Sequence, residues 1–397
     1  MKIIWIKSPF VQDVFFLLFA ASIALYLLQT VLIYVGTHRL VYPRSQTLPS
    51  ISILVALRNE ERTVAACVNS LLDLDYPPER LEIWLINDRS RDRTAEIIEA
   101  LKEKSPLIQT LHLKHTISGL SGKANAIAQA MELCTGELIL VTDGDCRVPR
   151  GWARGHAAYY TDEVGLVGGF TLLDEKHDDT PLLGKIQSLD WAYLLSIGAG
   201  AMGFGRPLSV LGNNFSFRRQ AYKQLGGYRN MGFTIIEDFA LMKTLLKKTS
   251  WKVLYPIDRK MLVYSHPMPD LAQFYQQRKR WSAGGKEVGG YGKFLMLIST
   301  LVHLAVPAAF FVLNHPGWAF LGGMAVLGMD FTLLLRTTGL VDRRDLLKYF
   351  PAWEGFYFLY TLFFAPVLLF PTTVVWKQVA YSWTCDWRLK RMVEPAE

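Results

Sequence analysis

The sequence predicts an α/β domain with a Rossmann-like parallel sheet, carried between hydrophobic segments that cross a membrane. Strand-like and helix-like stretches alternate from residue 50 to residue 145. Acidic residues stand where two of the strands end, Asp88 in one case and Asp143-Gly144-Asp145 in the other. Long apolar runs lie on both sides of this block.

Val14 to Val35 is nearly unbroken apolar sequence without a formal charge. It is long enough to span about 30 Å of hydrocarbon. A cleaved signal peptide would have a shorter apolar core, so the run reads as a retained anchor. His38, Arg39 and Arg44 follow it and mark the cytosolic side. Ile51 to Leu57 is a buried-strand run, and Glu60 to Leu74 has helical spacing ending before Tyr76-Pro77-Pro78. Leu81 to Ile86 is a second strand, followed by Asn87-Asp88 and a helix from Arg91 to Lys104. Thr110 to Leu113 is a third strand. Gly119 and Gly122 lead into a helix from Lys123 to Cys134, and the next strand ends at Asp143. This β-α order predicts a parallel sheet with helices on both faces. Ligands bind such sheets outside the carboxyl ends of the strands.

Leu182 to Phe204 is apolar but carries Lys185 and Asp190. A charge near mid-bilayer is costly, so a buried or interfacial helix is expected there. Leu295 to Leu313 and Trp318 to Leu335 are candidate spans. Phe356 to Val375 is another, interrupted by Pro366 and Pro371. Basic residues flank it, at Arg336 to Lys348 and at Lys377, Arg388, Lys390 and Arg391. Both basic stretches favour the cytosol, which makes the last segment broken and re-entrant. The expected organisation is an anchor (1–40), a cytosolic catalytic domain (41–270), an amphipathic interface segment (271–292) and a C-terminal membrane region with a basic tail (293–397).

Composition agrees with a membrane protein. The 397 residues are 51% hydrophobic with mean hydropathy +0.17, net charge +8 and a pI of about 9.2. Excess Lys and Arg suit the anionic cytosolic membrane face, and no nucleic-acid-binding motif accompanies them. Nucleic acid is therefore not an expected partner. Cys67, Cys134, Cys146 and Cys385 show no C-x-x-C and no metal spacing, as in a reduced compartment. Cys146 reads as a small space-filler.

In an extended segment residues i and i+2 point the same way, so Asp143 and Asp145 would present two carboxylates to one spot. Gly144 between them would let a ligand approach the backbone. The paired charge calls for a hard cation, Mg²⁺ or Mn²⁺, bridging to a diphosphate. Asp88 is positioned to accept from a base N–H, although Ser90 or Asp92 could equally cap the following helix. Arg58-Asn59-Glu60-Glu61 either grips a nucleoside or caps a helix with first-turn acids. Gly122-Lys123 opens a helix, where N–H groups and Lys123 could meet phosphate. It is not a P-loop, because G-x-x-x-x-G-K-[ST] is absent. Glu237-Asp238 precedes an apolar helix and taken alone is a helix start. Gln277-x-x-Arg280-Trp281 lies on a segment with Leu271, Phe274 and Tyr275 at helical spacing, an amphipathic surface helix.

Together these residues resemble the membrane-integrated glycosyltransferases of family 2. That group includes the poly-N-acetylglucosamine, hyaluronan, chitin and cellulose synthases, and the ceramide glucosyltransferases are similar. The resemblance covers about residues 50–290. Val55 to Glu61, containing Ala56, Arg58 and Glu60, stands where the family has its first nucleotide-binding strand and turn. Asp88 matches the uracil-contacting aspartate, with Asn87 in place of a frequent second Asp. Gly122-Lys123-Ala124 resembles the G-K-A segment, and Asp143 and Asp145 match the metal and diphosphate motif. Asn213 and Asn214 stand at the acceptor-side segment, with Glu237 beside the matched catalytic base Asp238. Gln277, Arg280 and Trp281 match Q-x-x-R-W, the most specific of these signals.

The resemblance implies a glycosyltransferase A-type fold and inversion at the anomeric carbon. The donor would be a nucleotide sugar, a UDP-sugar in the first instance, and the protein an integral protein of a plasma or inner membrane. The acceptor would be a lipid or a glycan. About four membrane segments are few for a polysaccharide channel without an accessory membrane subunit, which favours a lipid or lipid-linked acceptor. A processive synthase of the poly-N-acetylglucosamine or hyaluronan type is the alternative. A non-catalytic sugar-nucleotide binder is disfavoured because Asp143, Asp145 and Asp238 are all present.

Overall fold

The computed structural model describes residues 8–173, 179–232, 234, 236–285, 288–369, 373–376, 379–383 and 389–391. The chain forms two compact units. One, an α/β unit, comprises residues 40–179 and 209–267; the other, a helical unit, comprises 1–39, 180–208 and 268–397.

The α/β unit is built on a seven-stranded sheet. Its strands are β1 (Ile51–Leu57), β2 (Leu81–Asn87), β3 (Ile108–His112), β4 (Leu138–Asp143), β5 (Val164–Gly168), β7 (Asn214–Arg218) and β8 (Lys252–Leu254). A separate parallel pair joins β6 (Thr171–Leu173) to β9 (Val263–Ser265). The order of the large sheet is β3-β2-β1-β4-β7-β5-β8. The first four of these run parallel, as the alternating sequence predicts. β7 is antiparallel to both of its neighbours. β1 and β4 are buried along nearly their whole length, which explains their continuous apolar sequence. Their side chains join Val64, Val68 and Leu71 of the helix Val64–Leu72 and Ile98 of the helix Thr94–Lys102 in one core.

The chain runs outward from β1 to β3 and then returns to the other side of β1 with β4. This reversal makes a switch point, where the carboxyl ends of two strands diverge and leave a crevice. The register aligns Ala56 with Asp143 and Leu57 with Asn87. Ala56, Asn87 and Asp143 therefore share one edge of the sheet, with Asp88 next in the chain.

In the helical unit, Pro9–His38, Gly290–Val312 and Pro316–Leu340 are long and apolar enough to cross a bilayer. Phe19, Ile23 and Tyr26 of the first pack with Ile298, Val302 and Val326 of the other two. Leu17, Leu28, Leu301 and Phe320 stay exposed, an arrangement suited to lipid rather than water. These helices make the chain a membrane protein.

The helix Leu182–Met202 is almost wholly buried and belongs to this helical unit, although its sequence lies within the expected domain 41–270. Small residues explain its close packing. A Cβ added at Gly36 would lie 1.9 Å from the Gly200 carbonyl oxygen, so the two backbones touch. The last long helix runs from Phe350 to Leu369 and passes through Pro366 without ending. Val375 belongs to an antiparallel strand, Thr373–Trp376, rather than to the predicted span. Pro371, Lys377 and Arg388 lie outside the described residues.

Candidate active site

Two loops leave the sheet side by side after β1 and β2, and their hydrogen bonds lace them together. The Asn59 N–H donates to Ser90 Oγ at 3.0 Å, and Asn59 Oδ1 accepts from the Arg91 N–H at 2.8 Å. The Glu60 N–H donates to Thr94 Oγ1 at 2.8 Å and the Glu61 N–H to Asp92 Oδ2 at 3.0 Å. Asn59 and Arg89 adopt left-handed backbone, φ 55° and 56°, as the tight exits require. Asp92 accepts from the Thr94 N–H at 3.0 Å, although the N-cap position of the next helix is Arg93.

Asp88 is buried, and its Oδ1 is paired with Arg89 at 2.8 Å. Arg58 and Glu60 are half-buried on the neighbouring loop, beyond Ala56 at the end of β1. The paired loops form a continuous wall at the switch point.

Beyond β4 the chain departs from the extended geometry predicted for Asp143 and Asp145. The strand stops at Asp143. The Cys146 N–H then donates to the Asp143 carbonyl at 3.1 Å, closing a turn over Gly144 and Asp145. The i, i+2 argument therefore does not apply to this pair. Gly144 also has a different reason to be glycine. Its missing Cβ would sit 2.3 Å from Leu57 Cδ2 and 3.2 Å from Glu60 Cγ, so protein rather than ligand fills that space. Asp145 accepts from Ser265 Oγ at 3.3 Å, which ties the turn to β9.

Lys123 lies at the start of the helix Gly122–Ala130. Its ammonium forms an ion pair with Asp143 and donates to the Gly212 carbonyl at 2.5 Å. Burial opposes its charge, but the carboxylates of Asp143 and Glu237 hold its pKa above the usual lysine value. Gly212 is in turn crowded by the start of the helix Glu237–Lys248. A Cβ there would lie 2.9 Å from Glu237 Oε1 and 3.1 Å from Asp238 Oδ2. The pair β4–β7 holds this segment in place, with Thr142 Oγ1 donating to the Asn213 carbonyl at 3.0 Å. Lys123, Asp143, Gly212, Glu237 and Asp238 thus converge, although they come from four separate stretches of sequence.

Asp238 is buried, and its Oδ1 accepts from the Phe239 N–H at 2.7 Å. Glu237 and Asp238 are a helix start, as their sequence alone suggests, and also members of this cluster. Burial pushes the Tyr255 phenol far up, and the Asp238 carboxylate adds to the shift.

Asn213 and Asn214, expected on the acceptor side, are both buried and hydrogen-bonded within the α/β unit. Asn213 is buried and its Oδ1 accepts from Thr171 Oγ1 at 2.9 Å. Asn214 is fully buried; its Nδ2 donates to the carbonyls of Phe170 at 2.6 Å and Met261 at 2.8 Å. Its Oδ1 accepts from Trp152 Nε1 at 2.9 Å. Its amide joins the start of β7 to the chain at Phe170, Met261 and Trp152.

The Q-x-x-R-W residues lie on the helix Leu271–Gly285 of the helical unit. Gln277 is buried, and Arg280 and Trp281 are half-buried. Trp281 packs against Trp191 with ring centroids 5.2 Å apart. The single apolar face expected of this segment is divided. Phe274 turns inward onto Phe356, whereas Leu271 and Tyr275 are exposed. The helix register accounts for this, since it also buries Arg278, a residue that sequence reasoning passed over.

The α/β fold, its switch-point edge and the membrane helices define a nucleotide-binding type of domain carried on a membrane anchor. Residues 52–226 match the family described as glycosyl transferase family 2. The beta-monoglucosyldiacylglycerol synthase of Trichormus variabilis is 29% identical over 244 residues, covering 60% of this chain and 49% of that protein. The poly-beta-1,6-N-acetyl-D-glucosamine synthase of Staphylococcus epidermidis is 29% identical over 262 residues, covering 63% of this chain and 58% of that protein. The chain thus spans about half the length of the first of these relatives. A mannosyltransferase from Pyrobaculum calidifontis, solved with GDP-Man and Mn²⁺, shares the fold with TM-score 0.58 at 18% identity. That likeness covers 84% of this chain and 97% of the other.

Proposed function

We propose that the chain is an inverting glycosyltransferase that moves a sugar from a UDP-sugar to a lipid or lipid-linked acceptor at the cytosolic membrane face. The observation that carries the reading is the convergence of Lys123, Asp143, Gly212, Glu237 and Asp238 at the carboxyl edge of the sheet. A cation and a buried carboxylate meet there, as transfer from a diphosphate requires.

Asp88 and the Arg58–Glu60 loop hold the nucleoside in this reading. The carboxylates of Asp143 and Asp145 fit a hard cation, and they would hold Mg²⁺ or Mn²⁺. Such an ion, when bound, supplies charge neutralisation at the diphosphate. Lys123 adds a fixed positive charge beside Asp143, and Arg280 is assigned to the leaving diphosphate. Asp238 takes the proton of an acceptor hydroxyl as its oxygen bonds to the anomeric carbon. The bond from that carbon to the phosphate oxygen breaks, UDP leaves and the configuration inverts. Gln277 and Trp281 remain assigned to the acceptor side; Asn214 is not, because its amide is fully used.

The lipid acceptor is favoured by the diacylglycerol-named relative and by the exposed apolar faces of the membrane helices. The polysaccharide reading has the Staphylococcus epidermidis relative in its favour. Purified protein in lipid, incubated with a panel of radiolabelled nucleotide sugars, separates them. Label from a UDP-sugar should pass into the organic extract as a discrete glycolipid. Label in a large water-soluble product would favour the polymer. No transfer from any donor would overturn the transferase reading.

A further inference from the structure

We propose that the helical unit holds a divalent cation of its own, Zn²⁺ or Mn²⁺, between His303, Asp330 and Glu354. These residues come from the helices Gly290–Val312, Pro316–Leu340 and Phe350–Leu369. Each offers a ligand atom, and the three atoms lie within 4.8 Å of one another. The site shares no residue with the carboxylates assigned to the donor, and it does not depend on the transferase reading.

The orientation of His303 is fixed by its neighbour. Its Nδ1 lies 2.7 Å from the Ser299 carbonyl oxygen. A carbonyl only accepts, so Nδ1 carries the proton and donates. Nε2 then points away from the backbone, 3.8 Å from Glu354 Oε1. An imidazole anchored in this way through one nitrogen presents the other to a metal. Asp330 is oriented similarly. Its Oδ1 accepts from the phenols of Tyr26 at 2.6 Å and Tyr193 at 3.1 Å.

What remains points inward. His303 Nε2, Asp330 Oδ2 and Glu354 Oε2 are buried and have no hydrogen-bond partner among the described residues. Asp330 is 0% exposed and His303 5%. Buried polar atoms of native proteins are nearly always satisfied, so three together indicate a missing ligand. No Lys or Arg is bonded to any of the three among the described residues, and two carboxylates, once ionised beside a neutral imidazole, carry two negative charges. A divalent ion cancels both. Ionisable side chains within spanning helices mark functional sites for this reason. One imidazole with two carboxylates suits Zn²⁺ or Mn²⁺ better than Mg²⁺, which prefers oxygen ligands and retained water. Bound there, the ion would cross-link three helices.

The test uses full-length protein in detergent carrying Asp143→Asn and Asp145→Asn, which removes the donor-side carboxylates. The protein is stripped with chelator, reloaded with Zn²⁺ or Mn²⁺, desalted and analysed for metal by plasma mass spectrometry. One ion per chain should be retained, and chelator should lower the Tm. Adding His303→Gln or Asp330→Asn should abolish both the retention and the chelator effect. If those variants fail to fold, Co²⁺ titration of the Asp143→Asn/Asp145→Asn protein still decides. A visible spectrum distinct from aqueous Co²⁺ supports the site. No retained metal and an unaltered Co²⁺ spectrum would overturn it, leaving a cluster that shares protons instead. Full retention by a folded Asp330→Asn or His303→Gln protein would overturn it equally.

Discussion

Arg278 and Asp190 form an ion pair at 2.5 Å with both side chains fully buried. The guanidinium lies over the rings of Trp281, 4.2 Å from its centroid, and Phe274, 4.8 Å from its centroid. Trp353 Nε1 donates to Asp190 Oδ1 at 3.3 Å. The pair thereby joins the Q-x-x-R-W helix to the helix Leu182–Met202. It also explains how an apolar helix carries Asp190 without exposing it to lipid.

Removing one partner leaves the other charge buried and uncompensated. Arg278→Met or Asp190→Asn should destabilise the protein by about 3–5 kcal/mol. The double variant Arg278→Met/Asp190→Leu should recover part of that loss, because apolar groups of similar volume replace both charges. Thermal melts of full-length protein in detergent measure this. Single variants that melt with the native protein would refute a structural role for the pair.

Asp145 occupies a turn tied to β9 through Ser265, and Asp143 is paired with Lys123. Asp145→Ala should abolish sugar transfer, and chelation should stop the native enzyme. Both effects should appear as loss of radiolabelled product with the fold intact by size exclusion. Full turnover in EDTA would remove the metal assignment at these carboxylates.

The sheet was legible because β1 and β4 are buried on both faces and therefore read as continuous apolar runs. The placement of Asp88 and Asp143 at the carboxyl edge of the sheet was legible because each stands where a strand ends. Side-chain direction was not. Asp145 lies one turn beyond the strand, so alternation misplaced it. Asn214 has the polarity of a binding residue, but its amide is bonded to Trp152, Phe170 and Met261 in the core. Arg278 looked like one more basic residue in a basic stretch, since its partner Asp190 is 88 positions away in sequence. His303, Asp330 and Glu354 have no local spacing at all; only the packing of three helices assembles them.

Asp238 lies at a helix start beside Gly212 and is buried. Asp238→Asn keeps the shape of the side chain but cannot accept the proton. Turnover should fall by about 10²–10⁴-fold. Affinity for UDP, measured by calorimetry, should change little because the residue faces the acceptor in this reading. Lost UDP affinity with a preserved turnover number would contradict the assigned role.

His156 provides a test of acid sensitivity in the α/β unit. It is fully buried, and burial lowers its pKa from 6.5 to about 4, opposed by the hydrogen bond to Asn214 and the Asp258 carboxylate. Its Nε2 lies 3.1 Å from Asn214 Oδ1, an acceptor, so Nε2 carries the proton. Its Nδ1 then accepts from Ser216 Oγ at 2.8 Å, and Ser216 accepts from the Tyr160 phenol at 2.8 Å. Protonation of Nδ1 would turn the Ser216 hydroxyl toward the more distant Val167 carbonyl, at 3.5 Å. The unfolded chain therefore binds a proton more readily than the folded one between these two pKa values. Stability from the neutral imidazole is fully present above about pH 6.5 and is lost as pH falls toward about 4, a difference of up to about 3 kcal/mol. Melting of the native protein should drop across that window. His156→Gln should lower the Tm at neutral pH and flatten the drop, because no titrating group remains at the position. An equally steep fall in the Gln variant would assign the acid sensitivity to other groups.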